Sequence, residues 1–194
     1  MEKREFDQLF YDAVEENPDR NKIYKMVTQT FNISTALYPG CGLDITPSLY
    51  IPQVTYLDQA AHSAQFFEQK KWLLKKIFEA KEYPSQCCIE FICSNYNTPP
   101  QLPQYDLLIS QYAGNVGQVM KQFLKPGGLL LVADGPSDYQ LALQDQDYQF
   151  LGTIRYSGDK VCLVPELLPP EKYQLPNGIK ISLSRNFCFR KLAT

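Results

Sequence analysis

Two glycines and one aspartate in the first third of the chain have the types and the spacing to hold a nucleoside. Gly40 and Gly42 lie in the stretch Ala36-Leu-Tyr-Pro-Gly-Cys-Gly-Leu-Asp44, and Asp58 follows Gly40 by 18 residues. Glycine adopts positive φ readily and has no side chain, so the backbone there can turn sharply against a ligand. A carboxylate at that distance suits the hydroxyl groups of a ribose. A Gly-Cys-Gly turn without any ligand explains the same residues, so both interpretations stay open at this point.

Histidine and cysteine give little support for a metal site or for disulfides. His62 is the only histidine, and the six cysteines contain no Cys-x-x-Cys pair. Zinc sites in proteins usually combine such ligands at short spacing, so we expect no metal. Most of the cysteines lie in apolar, strand-like runs, and we interpret all six as buried free thiols: Cys41, Cys87, Cys88, Cys93, Cys162 and Cys188.

The length of the chain indicates one globular domain, and its net charge gives no indication that it binds nucleic acid or an anionic membrane. A chain of 194 residues is long enough for one well-buried core and short for two. The net charge of -2 provides no overall field that would collect nucleic acid or an anionic membrane. The N-terminus lacks the apolar run of a signal peptide, and no apolar stretch is long enough to span a bilayer. We therefore expect a cytoplasmic protein.

The elements that would position these residues alternate between helices and strands. Apolar residues at helical spacing predict a helical extension over residues 1–32, and a long amphipathic helix over 60–83 with a break near Gln69. Thr46 and Pro47 predict a single helical turn between the first two strands. The strands are predicted over 33–37, 54–58, 87–93, 105–110, 129–133, 150–156, 160–164, 179–183 and 186–190.

Two further features of the chain concern its late strands. Lys125-Pro-Gly-Gly128 predicts a tight turn before the strand 129–133. The last four strands are predicted to form two pairs, with 186–190 as an edge strand that closes its own sheet or, alternatively, pairs between two chains. Strands alternating with helices indicate a doubly wound sheet, which binds ligands at the carboxyl ends of its strands.

The order of four segments resembles the class I S-adenosylmethionine-dependent methyltransferases. The segments are Leu-Tyr-Pro-Gly-Cys-Gly, Tyr-Leu-Asp, Tyr-Asp-Leu-Leu-Ile-Ser and Phe-Leu-Lys-Pro-Gly-Gly-Leu-Leu-Leu-Val, within residues 33–134. The resemblance implies an α/β fold with a doubly wound, mostly parallel sheet of seven strands. It also implies a single domain over residues 1–194, with a Rossmann-like core over 33–194 behind the helical extension.

The resemblance further implies a binding site for S-adenosylmethionine. The residues that it assigns to this cofactor lie at strand ends: Tyr38, Pro39, Gly40, Cys41 and Gly42 in the cofactor loop, Asp58 at the ribose, Asn95 near the adenine, and Gln111 and Tyr112 near the transferable methyl group. Catalysis in this family is mostly positioning, and the resemblance assigns no acid or base. Gln111, Tyr112 and Asn115 are the candidates for positioning a methyl acceptor.

Three positions depart from the pattern of that family. It commonly has an acidic residue where this chain has Tyr38, a third glycine where it has Asp44, and an acidic residue near Ser94 or Asn95. Asp44 would repel the pyrophosphate of a dinucleotide, which disfavours nicotinamide and flavin cofactors.

Two hypotheses for the function follow from the resemblance and from these departures. The first is a methyltransferase acting on an unidentified small-molecule or macromolecular acceptor, and the second is an inactive methyltransferase-like domain that binds or scaffolds a partner.

Overall fold

The computed structural model describes residues 1–15, 18–111, 113–135, 138–157, 160–167, 172–174, 180–182 and 186–193. Its α-helices are α1 (Lys3–Glu15), α2 (Pro18–Thr30), α3 (Ala61–Phe67), α4 (Lys70–Ala80), α5 (Val116–Val119) and α6 (Asp138–Gln144). Its strands are β1 (Thr35–Pro39), β2 (Gln53–Asp58), β3 (Cys88–Cys93), β4 (Tyr105–Ser110), β5 (Leu124–Ala133), β6 (Tyr148–Ser157), β7 (Lys160–Val164), β8 (Lys172–Gln174), β9 (Lys180–Ser182) and β10 (Asn186–Lys191). Short 3₁₀ turns cover Thr46–Leu49 and Lys121–Phe123.

The central sheet has the strand order β3-β2-β1-β4-β5-β10-β6-β7. Its first five strands run parallel, and β10 lies antiparallel between β5 and β6. The doubly wound α/β fold is therefore confirmed, although the sheet has eight strands where seven were predicted. The strand predicted over 160–164 is present as β7, and it pairs antiparallel with the outer side of β6 as predicted.

The predicted edge position of the last strand is wrong. Residues 186–189 are buried without a break, including Phe187 and Phe189 at 0% exposure. A strand buried on both faces lies in the interior of a sheet, and β10 pairs with a neighbour on each side. The predicted pairing of this strand with 179–183 is also wrong, because β9 pairs with β8 in a separate two-stranded sheet. Ile179 and Leu183 lie outside the described residues.

The helical extension packs into the core. The ring of Phe6 is fully buried and lies 5.2 Å from the ring of Phe66 and 5.7 Å from that of Trp72. Tyr24 and Val27 of α2 are buried as well. The extension therefore covers one face of the sheet and shares its hydrophobic cluster with the strands.

The segment Lys125-Pro-Gly-Gly128 forms a bulge inside β5. The register between β4 and β5 passes from Tyr105 opposite Leu124 to Leu107 opposite Leu129. Asp106 alone thus faces the four residues of the bulge. The predicted turn is present in the backbone, with Gly127 at φ 78°. However, the turn lies inside β5, whereas the sequence predicted that it would precede the strand.

The other helices agree with the sequence in part. The break between α3 and α4 falls near Gln69, as predicted, while α6 was not predicted. No helix in the described ranges has the length and apolar character needed to cross a membrane.

The six cysteines are free, as expected, but they are not all buried. Cys41 and Cys188 are buried and Cys87 is half-buried, whereas the other three are exposed: Cys88, Cys93 and Cys162. The exposed cysteines belong to β3 and β7, the two outermost strands of the sheet, which explains why the expectation of burial fails for them.

Candidate functional site

The turn after β1 places two glycines at the carboxyl edge of the sheet. Gly40 has φ 64° and Gly42 has φ 57°, a region that favours glycine. The N–H of Gly40 donates to the carbonyl of Leu57 at 2.7 Å, which fixes the turn against β2. A methyl group added at Gly42 would meet no atom within 4 Å, so this glycine faces open space.

Asp58 ends β2 beside this turn and is half-buried. Its Oδ2 accepts the N–H of Gly42 at 2.8 Å, and its Oδ1 accepts the N–H of Ala60 at 2.8 Å. A carboxylate accepts about four hydrogen bonds, so these two donors leave roughly half of its capacity. Asp58 thus holds the glycine turn and the entry to α3 while keeping acceptor sites for a further donor.

The segment after β4 packs directly on Gly40. A methyl group added at Gly40 would lie 2.4 Å from the Cβ of Ala113 and 3.9 Å from the Cε1 of Tyr96. The hydroxyl of Tyr96 donates to the carbonyl of Ala113 and so joins the segment after β3 to the segment after β4. The space above Gly40 is therefore filled by Ala113 and by the edge of an aromatic ring.

The sequence did not single out Tyr96. Its only sequence signal is its place directly after the predicted Asn95, in the segment that follows β3. Asn95 itself is exposed, and its Oδ1 accepts the backbone N–H of Asn97 at 2.9 Å in a local turn.

The candidates after β4 are divided between two environments. Gln111 is buried, and its Nε2 donates to Oδ1 of Asn186 at 2.9 Å, which connects the end of β4 to β10. Asn115 is exposed at the start of α5. Tyr112 lies outside the described residues. The structure therefore brings the glycine turn and Asp58 together, whereas the side chain of Gln111 bonds to β10, away from that turn.

Asp44 is the centre of a buried polar network below the glycine turn. Its Oδ2 accepts bonds from Arg20 Nη1 at 2.8 Å, from the Tyr38 hydroxyl at 3.0 Å and from the Tyr24 hydroxyl at 3.4 Å. Its Oδ1 accepts the N–H of Thr46 at 3.1 Å and also the hydroxyl of that residue. Because Arg20 neutralises the carboxylate, the expected repulsion of a ligand's phosphates by Asp44 loses most of its basis.

The protonation of this network follows from burial and charge. Burial raises the pKa of Tyr38, and the neighbouring Asp44 raises it further. Burial lowers the pKa of Arg20, but the negative charge around it outweighs that effect and raises the pKa above its ordinary value. Burial likewise raises the pKa of the Cys41 thiol. Tyr38 therefore stays a neutral donor, Arg20 stays charged and Cys41 stays a thiol, which makes it a poor nucleophile.

A cavity of about 270 Å³ lies between the helical extension and the stretch 41–44. Its charged walls are Asp12, Arg20 and Asp44, and apolar atoms come from Leu9, Ala13 and Leu43. The cavity offers both signs of charge next to the candidate site.

A second buried carboxylate, which the sequence did not indicate, lies behind the end of β4. Asp138 accepts the hydroxyl of Ser110 and the N–H of Gly117, the latter at 2.9 Å. Burial raises the pKa of Asp138. This residue ties the starts of α5 and α6 to the sheet, and we assign it a structural role.

No group of three or more histidine, cysteine, aspartate or glutamate side chains is arranged for a metal ion within the part of the chain that the structure describes. His62 is exposed in α3.

Comparisons with known proteins identify the fold. No family model matches the sequence, and no curated protein matches it. The N-methyltransferase NodS from Bradyrhizobium japonicum WM9 matches with a TM-score of 0.57 and 11% identity over 94% of this chain and 99% of that one. The complex of NodS with S-adenosyl-l-homocysteine has the same TM-score and covers 97% of both chains. Coclaurine N-methyltransferase, bound to N-methylheliamine and SAH, matches with a TM-score of 0.59 and 9% identity over 90% of this chain and 72% of that one. The class I methyltransferase-like fold is therefore confirmed.

Proposed function

We propose that this protein is an S-adenosylmethionine-dependent methyltransferase. The observation that carries the proposal is the hydrogen bond that the N–H of Gly42 donates to Asp58, which holds a carboxylate beside the open side of Gly42 at the carboxyl edge of parallel strands. Ligands of doubly wound sheets bind at this edge. A structural neighbour with the same fold is described as a complex with S-adenosyl-l-homocysteine, the demethylated form of the cofactor.

Each part of the cofactor has a candidate partner in this chain. The free acceptor sites of Asp58 suit the ribose hydroxyls, and the open face of Gly42 lets the adenosyl group approach the main chain. Asn95 lies after β3, where the adenine would be held. The cavity between Arg20 and Asp12 suits the carboxylate and the ammonium of the amino-acid end.

The bound cofactor would supply an electrophilic methyl group, and the protein would supply position. The segment after β4, with Gln111, Tyr112 and Asn115, is the proposed wall on which the acceptor is oriented. In a well-oriented pair of reactants, the lone pair of a neutral acceptor attacks the methyl group without a protein side chain acting as base. NodS and coclaurine N-methyltransferase are both N-methyltransferases, so amines are the first class of acceptor to assay.

We further propose that residues 1–194 form one domain in the cytoplasm. The burial of Phe6 against Phe66 supports a single domain, because the extension and the core share one hydrophobic cluster. Six free cysteines support a reducing compartment.

The second candidate function is a methyltransferase-like binding or scaffolding domain without turnover. The observation that favours it is the direct packing of Ala113 on Gly40, reinforced by the Tyr96 hydroxyl. For the cofactor to reach Gly40, the segment of Ala113 must move away from the glycine turn. A domain that never binds the cofactor would keep them closed.

Isothermal titration calorimetry with S-adenosylmethionine and S-adenosylhomocysteine distinguishes the two functions. The methyltransferase proposal predicts saturable binding of both ligands and loss of that binding in Asp58→Ala. Glu90→Gln is the matched control, since it removes an exposed carboxylate from the neighbouring β3 and should leave the affinity unchanged. Absence of binding by the wild type, with the fold intact by circular dichroism, would contradict the enzyme and support the scaffold.

A further inference from the structure

The outermost strand β7 lines a groove that the proposed methyl transfer does not use. Within the described residues, β7 pairs only with β6, so its other edge carries no strand partner. Helix α2 contacts β7, and a groove of about 510 Å³ is lined by residues of both elements. The groove thus lies on a strand whose outer edge has no strand partner among the described residues.

The floor of the groove is apolar and its rim is positively charged. Met26, Val161 and Leu163 supply apolar atoms, whereas the charged groups that line it are three lysines: Lys22, Lys25 and Lys160. None of the lining residues in the described chain is acidic.

Two of these lysines have acidic neighbours outside the groove. Lys22 lies 3.9 Å from Asp19, and Lys25 lies 2.7 Å from Glu82. Both pairs are solvent-exposed, so each contributes little stability. Lys25 can therefore exchange Glu82 for a carboxylate of another molecule at small cost, and Lys160 has no ion pair among the described residues.

We propose that this groove binds an extended acidic peptide segment of a partner protein by strand addition to β7. The outer edge of β7 would supply main-chain hydrogen bonds, and the groove would take every second side chain of the added strand. Apolar side chains would lie on Val161 and Leu163, and carboxylates would pair with the lysines on the rim. Sequences that alternate glutamate or aspartate with small aliphatic residues on one face match this arrangement.

A peptide fits these observations better than a nucleic acid does. Free ladder groups of a strand pair with another backbone amide, and phosphates offer no such ladder.

Fluorescence anisotropy with a short labelled peptide tests the proposal. The probe has threonine at every second position and alternates glutamate with valine at the others. The triple variant Lys22→Gln, Lys25→Gln, Lys160→Gln should bind it about tenfold more weakly than the wild type. The matched control removes the same charge from the exposed face of α4, in the triple variant Lys70→Gln, Lys71→Gln, Lys75→Gln, and should leave the affinity unchanged.

Two modified peptides separate the parts of the interaction. Replacing glutamate with glutamine should weaken binding as much as the groove variant does. N-methylation of every amide of the probe should abolish binding, because it blocks strand pairing at both edges of the peptide and keeps the charge. Equal losses in both triple variants, full binding of the N-methylated peptide, or no binding by the wild type would each overturn the proposal. Displacement of the probe by a single-stranded oligonucleotide at lower concentration than unlabelled peptide would also overturn it, in favour of a nucleic acid.

Discussion

Asp44 shows how single residues hold the candidate site together. The sequence predicts that this carboxylate faces a ligand, because it stands where the family that the sequence resembles commonly has glycine. In the folded chain it is 6% exposed and bonded to Arg20, Tyr38 and Thr46. The position of Asp44 after the turn could be predicted, but its partners could not. Arg20 lies 24 residues away in sequence, and only the packing of α2 on the sheet brings the guanidinium to the carboxylate.

The substitution Asp44→Asn is predicted to lower the free energy of unfolding by about 3 kcal/mol, because it leaves the charge of Arg20 without its buried partner. Urea denaturation followed by circular dichroism measures the change. Glu79→Gln, which removes one partner of an exposed pair with Lys75, should cost less than about 0.5 kcal/mol. Equal effects of the two substitutions would contradict a structural role for Asp44.

The two glycines are predicted to respond differently to alanine. Gly40 has a positive φ, and Gly40→Ala adds a methyl group that overlaps Ala113. The backbone strain and the steric overlap together should lower the free energy of unfolding by about 3 kcal/mol. Gly42→Ala adds only backbone strain of about 1 kcal/mol, since its side is open. However, Gly42→Ala should abolish cofactor binding because the methyl group would occupy the ligand's place. Thermal melts and calorimetry on both variants check this, and normal cofactor affinity in Gly42→Ala would exclude that surface as the contact.

The segments after β3 and β4 meet above Gly40 of the candidate site. The strands β3 and β4 that precede these segments were predicted well, because runs of apolar and β-branched residues mark them in the sequence. The contact between them was not predicted, since Tyr96 and Ala113 belong to irregular segments whose approach depends on the whole sheet. The same limit applies to β10. Its run of apolar residues indicated a strand, yet its central place required knowledge of its partners.

The variant Tyr96→Phe is predicted to bind S-adenosylhomocysteine about fivefold more tightly than the wild type. It removes the hydroxyl that bonds the Ala113 carbonyl in the closed arrangement, and one such bond is worth about 1 kcal/mol. The ring remains, so any packing on the adenosyl group is kept. Tyr83→Phe, which removes a hydroxyl bonded to the Ser48 carbonyl away from this contact, is the control. Weaker binding by Tyr96→Phe would show that the hydroxyl holds the ligand and does not oppose its entry.

The stability of the whole molecule depends on the opposite edge of the sheet as well. Asp106 accepts both backbone N–H groups and both hydroxyls of Ser34 and Thr35 with its Oδ2, and Lys125 Nζ with its Oδ1 at 2.7 Å. Burial opposes the ionisation of this carboxyl, but these hydrogen bonds outweigh burial and hold its pKa well below the ordinary 3.8. One side chain thus joins the starts of β1 and β4 to the bulge in β5.

A pH dependence of unfolding follows from this lowered pKa. The unfolded chain takes up the proton first, so the contribution of Asp106 is complete above about pH 4 and is lost as the pH falls toward the folded-state pKa. Asp106→Asn should therefore lower stability by about 2 kcal/mol at pH 7 and should flatten the loss of stability below pH 4. Urea denaturation at several pH values measures both effects. If the substituted protein lost stability with acid as steeply as the wild type, another carboxylate would be responsible.

A crystal structure of the protein with S-adenosylhomocysteine would show whether the glycine turn and Asp58 bind the adenosyl group. We expect density for the adenosyl group against the turn of Gly40 and Gly42. The ribose hydroxyls should lie within hydrogen-bonding distance of Asp58, and the segment of Ala113 should be displaced from Gly40. A crystal soaked at saturating ligand in which Ala113 still contacts Gly40, and Asp58 binds only its two backbone donors, would exclude this turn as the cofactor site.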